Sequence, residues 1–125
     1  MQDNKFAISP LDGRYQDLLN NLKNLVSEYS LYRYRIIIEI KFLKILLSKK
    51  IISPISQTQI NSLDKIISGY DLKEYKKIKK IEQKIKHDVK ACEYYLRGKL
   101  TDLKIIGLIP YIHFGLTSDD VNNLA

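Results

Sequence analysis

Apolar residues recur along most of this chain at intervals of three and four, the spacing of one helix face and not the alternation of a strand. Leu18, Leu19, Leu22, Leu25 and Val26 form the first stripe, within a helical pattern that begins at Tyr15. A longer amphipathic run extends from about Ser27 to Lys49. Leu31, Tyr34, Ile38, Phe42, Ile45 and Leu46 read as its buried face, with Arg33, Arg35, Lys41 and Lys44 mostly outside. Ser53-Pro54 ends this helix, because proline lacks the N–H and disfavours helix at the residue before it. A third helix is predicted over about Ser56 to Ser68, with Gly69 suited to a left-handed position beyond its end. A fourth runs from Asp71 to about Ile85, where Lys76, Lys77, Lys79 and Lys80 read as a solvated face. A fifth runs from about His87 to Leu100 and should bury Val89, Cys92, Tyr95 and Leu96.

The two ends differ from this middle. Residues 1–14 carry Pro10, Asp12 and Gly13 and read as a turn-rich lead-in. After Pro110 the chain reads YIHFGLTSDDVNNLA, in which Thr117 or Ser118 is a natural N-cap and Asp119 and Asp120 suit the positive end of a helix dipole. Helix-start signals followed at once by Ala125 suggest a chain cut inside an element, hence a fragment of a longer protein. The predicted class is all-α, one helical domain over residues 1–125. Its parts are the lead-in at 1–14, helices over 15–110, and a loop with the start of a truncated helix over 111–125.

Composition narrows the classes. With 125 residues, 45% of them hydrophobic and 28% charged, the chain can build a core and is neither a disordered tail nor a collagen-like repeat. Its longest apolar runs, Ile36–Ile38 and Ile45–Leu47, fall far short of a membrane span. MQDNKFAISP has no basic segment leading into an apolar core, so a soluble, cytoplasmic protein without membrane partners is expected. A lone cysteine, Cys92, offers no internal disulfide and no multi-thiolate metal site, and His87 and His113 are too far apart for a helical ligand pair. The net charge of +7 invites a nucleic-acid reading. The basic residues are overwhelmingly lysine, however, and lysine with Ile, Asn and Tyr has A/T-rich codons, so a compositional bias explains the charge without a specific nucleic-acid partner.

Three clusters are richer in reactive groups than a helix bundle requires. Asp12-Gly13-Arg14-Tyr15 joins a tight turn to a planar cationic fork and a hydroxyl; a turn with a surface arginine is the plainer account. Lys86-His87-Asp88 sets a histidine beside a carboxylate near a helix start; a surface histidine in a charged stretch is again the plainer account. The segment His113 to Asp120 combines Gly115, the hydroxyls of Thr117 and Ser118, and a helix N-terminus, a setting for a carboxylate or phosphate that competes with a simple capped helix.

Taken in order, ISPLDGRY at 8–15, KHDVKACEYYLRGKL at 86–100 and IHFGLTSDDVNNL at 112–124 resemble the N-terminal portion of the adenylosuccinate lyase family, within the fumarase/aspartase superfamily. SEYSLYRYRIIIEIKFLKIL resembles that family's first long helix, and the SP-x-DGRY opening is that of one bacterial branch. The resemblance implies β-elimination of fumarate from adenylosuccinate, giving AMP, and from succinylaminoimidazole carboxamide ribotide in purine biosynthesis. It implies no metal or organic cofactor. It also implies a homotetramer in which each active site draws on three subunits. By matching family positions, Arg14 and Tyr15, His87 and Asp88, and Thr117 and Ser118 are expected to contact substrate. Lys86 stands where the branch usually has asparagine and adds a positive charge close to that anion site. His113 matches a family histidine but is not among the expected contacts. The family's general acid histidine and base serine lie downstream of this chain, so no catalytic residue is expected within it, and the chain alone should be inactive. Two other readings compete: a non-catalytic remnant of a decayed lyase gene, and a basic helical nucleic-acid-binding module.

Overall fold

The computed structural model describes residues 6–125, whose regular structure is helical throughout. A 3-10 turn at Gln16–Leu19 leads into α1 (Asn20–Val26), followed by α2 (Glu28–Ser48), α3 (Gln57–Ser68), α4 (Leu72–Ile85) and α5 (Asp88–Asp102). A second 3-10 segment, Ile106–Tyr111, precedes α6 (Ser118–Leu124). The longer helices start where a side chain can accept one of the N–H groups that a first turn leaves unpaired. Ser27 accepts the Ser30 N–H at 3.2 Å, Asp71 accepts those of Lys73 and Glu74 at 2.8 and 2.9 Å, and Ser56 with Gln59 forms a reciprocal capping box.

The helix ends depart from expectation. Gly69 is not left-handed, with φ of −87°; it is needed because a Cβ there would lie 2.9 Å from the Lys65 carbonyl oxygen. Three lysines take the left-handed positions instead: Lys50, Lys86 and Lys104, with φ of 57°, 57° and 58°. The turns close by backbone bonds of the type Ile51 N–H to Leu46 O and Ile105 N–H to Leu100 O, at 3.0 and 2.9 Å.

Helix α2 is the axis of the molecule and packs against α1, α3, α4, α5 and α6. Ile36, Ile40, Leu43 and Leu46 meet Leu63 and Ile66 of α3, Ile78 of α4, and Cys92, Leu96 and Leu100 of α5 in one core. This corrects the expected facing of α2. Tyr32, Arg35, Ile36, Glu39, Ile40 and Leu43 are buried, Ile45 is 51% exposed, and Arg35 lies inside. Branched apolar residues occur almost all round this helix, so periodicity did not single out a face; the neighbours did.

The lead-in is a turn, as its Pro10, Asp12 and Gly13 predict, and α1 follows it. Asp12 closes the lead-in by accepting the N–H groups of Ile8 and Ser9, and Tyr15 N–H bonds Pro10 O at 3.0 Å. A Cβ on Gly13 would press within 3.1 Å of the Ala7 Cβ and 3.2 Å of the Ser9 carbonyl oxygen, so a side chain here would crowd the turn. The apolar stripe of Leu18, Leu22, Leu25 and Val26 is present but lies exposed. No helix among the described residues is long and apolar enough to cross a membrane.

Candidate functional site: a buried arginine between two helix starts

One face of α2 carries polar groups at helical spacing, Tyr32, Arg35 and Glu39, and each ties a different segment to it. Tyr32 donates its hydroxyl to Glu82 Oε2 of α4 at 2.7 Å, and Lys79 bridges Glu82 and Glu28 at 2.6 and 2.7 Å. Burial raises the Tyr32 hydroxyl pKa above its ordinary value, and the Glu82 carboxylate adds to that. One turn on, Arg35 is 4% exposed and reaches two ways. Its Nη2 pairs with Asp88 Oδ2 at 2.8 Å, and its Nε donates to Asn122 Oδ1 of α6 at 3.0 Å. Its Nη1 is buried with no partner among the described residues. Burial opposes ionisation of Asp88, but the Val89 N–H and the Arg35 guanidinium outweigh it and hold the carboxyl below its usual range.

Glu39 is the third tie. It accepts the His113 backbone N–H at 3.0 Å and sits 2.5 Å from His113 Nδ1, while His113 Nε2 lies 3.9 Å from Glu93 Oε1 of α5. Burial pushes the Glu39 carboxyl up, and the contacts from His113 work against that rise. His113 is itself left-handed, with φ of 61°, and Gly115 at φ 73° lets the loop turn back toward α6.

The sequence-predicted residues fall into this frame unequally. Lys86 caps the end of α4, where its left-handed backbone sends the chain into α5. His87 is the N-cap of α5, its Nδ1 accepting the Lys90 N–H at 3.1 Å, so Nε2 is the nitrogen free to act as donor. Asp88 opens α5. With Tyr32, Arg35 and Glu82, these three residues line a cleft of about 310 Å³. Thr117 is the N-cap of α6, and its hydroxyl and N–H are both engaged with Asp120. The Ser118 hydroxyl makes no hydrogen bond among the described residues and is the less committed of the two. Through Asp88 and Asn122, Arg35 therefore joins the 86–88 and 117–122 segments.

Arg14 and Tyr15 are not drawn in. The Arg14 guanidinium lies over the Tyr15 ring at 4.8 Å, both residues are exposed, and no hydrogen bond or ion pair among the described residues links them to the other clusters. Sequence reasoning missed Arg35, Glu39, Glu93 and Asn122. A usable signal existed for the first two. Glu28, Tyr32, Arg35 and Glu39 repeat at four-, three- and four-residue steps, a polar stripe on one face of the helix. Cys92 is buried in the core beside this network, its thiol pushed up to about 12 by burial, and acts as a packing residue.

No family model matches the chain. Curated relatives do. The adenylosuccinate lyase of Haemophilus influenzae is 40% identical over 123 residues, covering 95% of this chain and 27% of that protein. The adenylosuccinate lyase of Buchnera aphidicola subsp. Baizongia pistaciae is 41% identical over 124 residues, covering 96% of this chain and 26% of its own length. The Escherichia coli K12 protein of the same name is 36% identical over 123 residues, again with 27% of its length covered. The chain thus spans about a quarter of the relatives it matches, and over nearly all of its own length it is similar to the N-terminal part of adenylosuccinate lyases.

Proposed function

We propose that this chain is the N-terminal, substrate-binding portion of an adenylosuccinate lyase. The observation that carries the reading is convergence: Lys86 ends α4 where His87 and Asp88 open α5, Thr117 and Ser118 open α6, and one buried arginine links the two helix starts. A helix start with an uncommitted serine hydroxyl suits a carboxylate, and adenylosuccinate offers carboxylates and a phosphate. In the elimination that the resemblance implies, a base removes a proton beside a carboxylate while an acid protonates the departing nitrogen, and fumarate leaves. The residues here bind and orient. Ser118 donates to a succinyl carboxylate, His87 donates through Nε2, and Lys86 adds positive charge at the cleft. The resemblance assigns Arg14 and Tyr15 a further anion contact, although both lie apart from the 86–88 and 117–118 segments. The same site accepts succinylaminoimidazole carboxamide ribotide. In this reading the protein is cytoplasmic, the acid histidine and base serine come from later parts of the polypeptide, the working assembly is a homotetramer, and no metal or organic cofactor takes part.

Calorimetric titration of the 125-residue chain with adenylosuccinate tests the reading. Saturable binding is expected, with no fumarate released at high protein concentration. Arg14→Ala should weaken binding by about 2–4 kcal/mol if its guanidinium grips the anion. No binding at millimolar ligand, together with tight salt-sensitive binding to single-stranded nucleic acid, would sink it.

A further inference from the structure

We infer that Arg35 is a positioning residue that fixes the separation of the two substrate-binding segments, by holding Asp88 and Asn122 on one guanidinium. The inference rests on the proposed site for its functional meaning, while its geometric content stands on contacts alone. The guanidinium is planar and rigid, and its Nη2 and Nε reach acceptors on two different helices, Asp88 Oδ2 at 2.8 Å and Asn122 Oδ1 at 3.0 Å. Neither acceptor is anchored in the apolar core: Asp88 has a side chain 45% exposed, and Asn122 is exposed. The arginine is the buried partner, seated at the face of the Tyr32 ring with its centre 5.0 Å away.

The two segments differ in how far they depend on this tie. Helix α6 has seven residues and buries only one side chain, Val121, so its seat on α2 has little apolar anchoring and depends more on polar ties. The start of α5 is the fixed partner, because α5 packs along α4 and buries Val89, Ala91 and Cys92 directly after Asp88, so the tie acts by holding α6 to it. A lysine at position 35 would keep the charge and most of the stem but place one nitrogen where two are used. The buried, unpartnered Nη1 faces no competing acceptor that would pull the fork away from these two partners.

The experiment uses the whole chain with spin labels on cysteines introduced at the exposed positions Gln83 in α4 and Asn123 in α6. Cys92 is 1% exposed and its thiol is held protonated to about 12, so it stays unlabelled in the folded chain. The parent should give one narrow distance by pulsed electron resonance. Asn122→Ala, which alters an exposed residue and leaves the core intact, should broaden or shift that distance, and Arg35→Lys should do so further. Adenylosuccinate affinity should fall about tenfold in Asn122→Ala, at unchanged helix content. An unchanged distance distribution in Asn122→Ala overturns the inference, even if Arg35→Lys fails to fold. Broadening without any adenylosuccinate binding by the parent would leave the positioning role standing and remove the proposed substrate site. Binding that is equal in parent and Asn122→Ala despite broadening would overturn the link to substrate.

Discussion

The segment 6–26 and helix α2 invert each other's chemistry. The first carries leucines at helical spacing and leaves them in water, with Leu18 80%, Leu25 60% and Val26 71% exposed. The second carries Arg35 and Glu39 and puts both inside, at 4% and 1% exposed. Burial here follows position in the architecture, not polarity. Helix α2 packs against five other helices, so its inward residues lose solvent whatever their polarity, and charged ones survive there only when a partner meets them. Within segment 6–26, α1 packs against α2 and the preceding 3-10 turn, and its leucine stripe stays open to solvent.

The sharpest way to break this contrast is Glu39→Ala. It strips the carboxylate from the His113 N–H and ring nitrogen, leaving two donors unpaired, and should cost about 3–5 kcal/mol in urea unfolding. A loss under about 1 kcal/mol would mean that the buried charge is incidental.

Acid should find a second set of ties. Burial pushes the Glu74 carboxyl up, but bonds from Lys77, Lys99 and Tyr95 outweigh this and hold it at about 2, against an ordinary 4.5. The stabilisation is therefore complete above pH 4.5 and drains away as pH falls through about 2. Unfolding midpoints of the parent should drop across that window, and Glu74→Gln should flatten the slope there.

A smaller effect of opposite sign is expected at Lys86. Its left-handed backbone suits asparagine better than lysine, so Lys86→Asn should raise stability by about 0.5–1 kcal/mol by thermal melting. This also gives a structural account of an asparagine-favouring position, separate from any effect of charge on anion binding. The smallest change belongs to the exposed stripe. Leu25→Ser should alter stability by less than about 0.5 kcal/mol, and a loss of 2 kcal/mol or more would show that the stripe is covered in solution.

Much of the fold was legible because caps and breakers act locally. Ser56 with Gln59 and Asp71 ahead of its helix each work through neighbours within a few residues, whereas the end of α2 expected from Ser53-Pro54 comes earlier, at Ser48, where left-handed Lys50 closes the helix. Two parts were not legible. The face of α2 could not be read because isoleucine and leucine occupy nearly every side, and Gly69 was assigned a left-handed backbone that Lys50, Lys86 and Lys104 take instead. The 86–88 and 117–118 clusters were visible as chemistry in the sequence. Their junction was not, since Arg35 is separated by 53 and 87 residues from Asp88 and Asn122 and reads as a surface charge until both are packed beside it.

The sequence by itself determined that this protein is helical, where most of its helices begin, and which short segments carry the polar chemistry, because those depend on spacing and on hydrogen bonds within a turn. Only the tertiary structure decided which charges go inside and which leucines stay out. That choice depends on how many elements crowd a given face, and crowding is a property of the packed chain, invisible to any window of neighbouring residues.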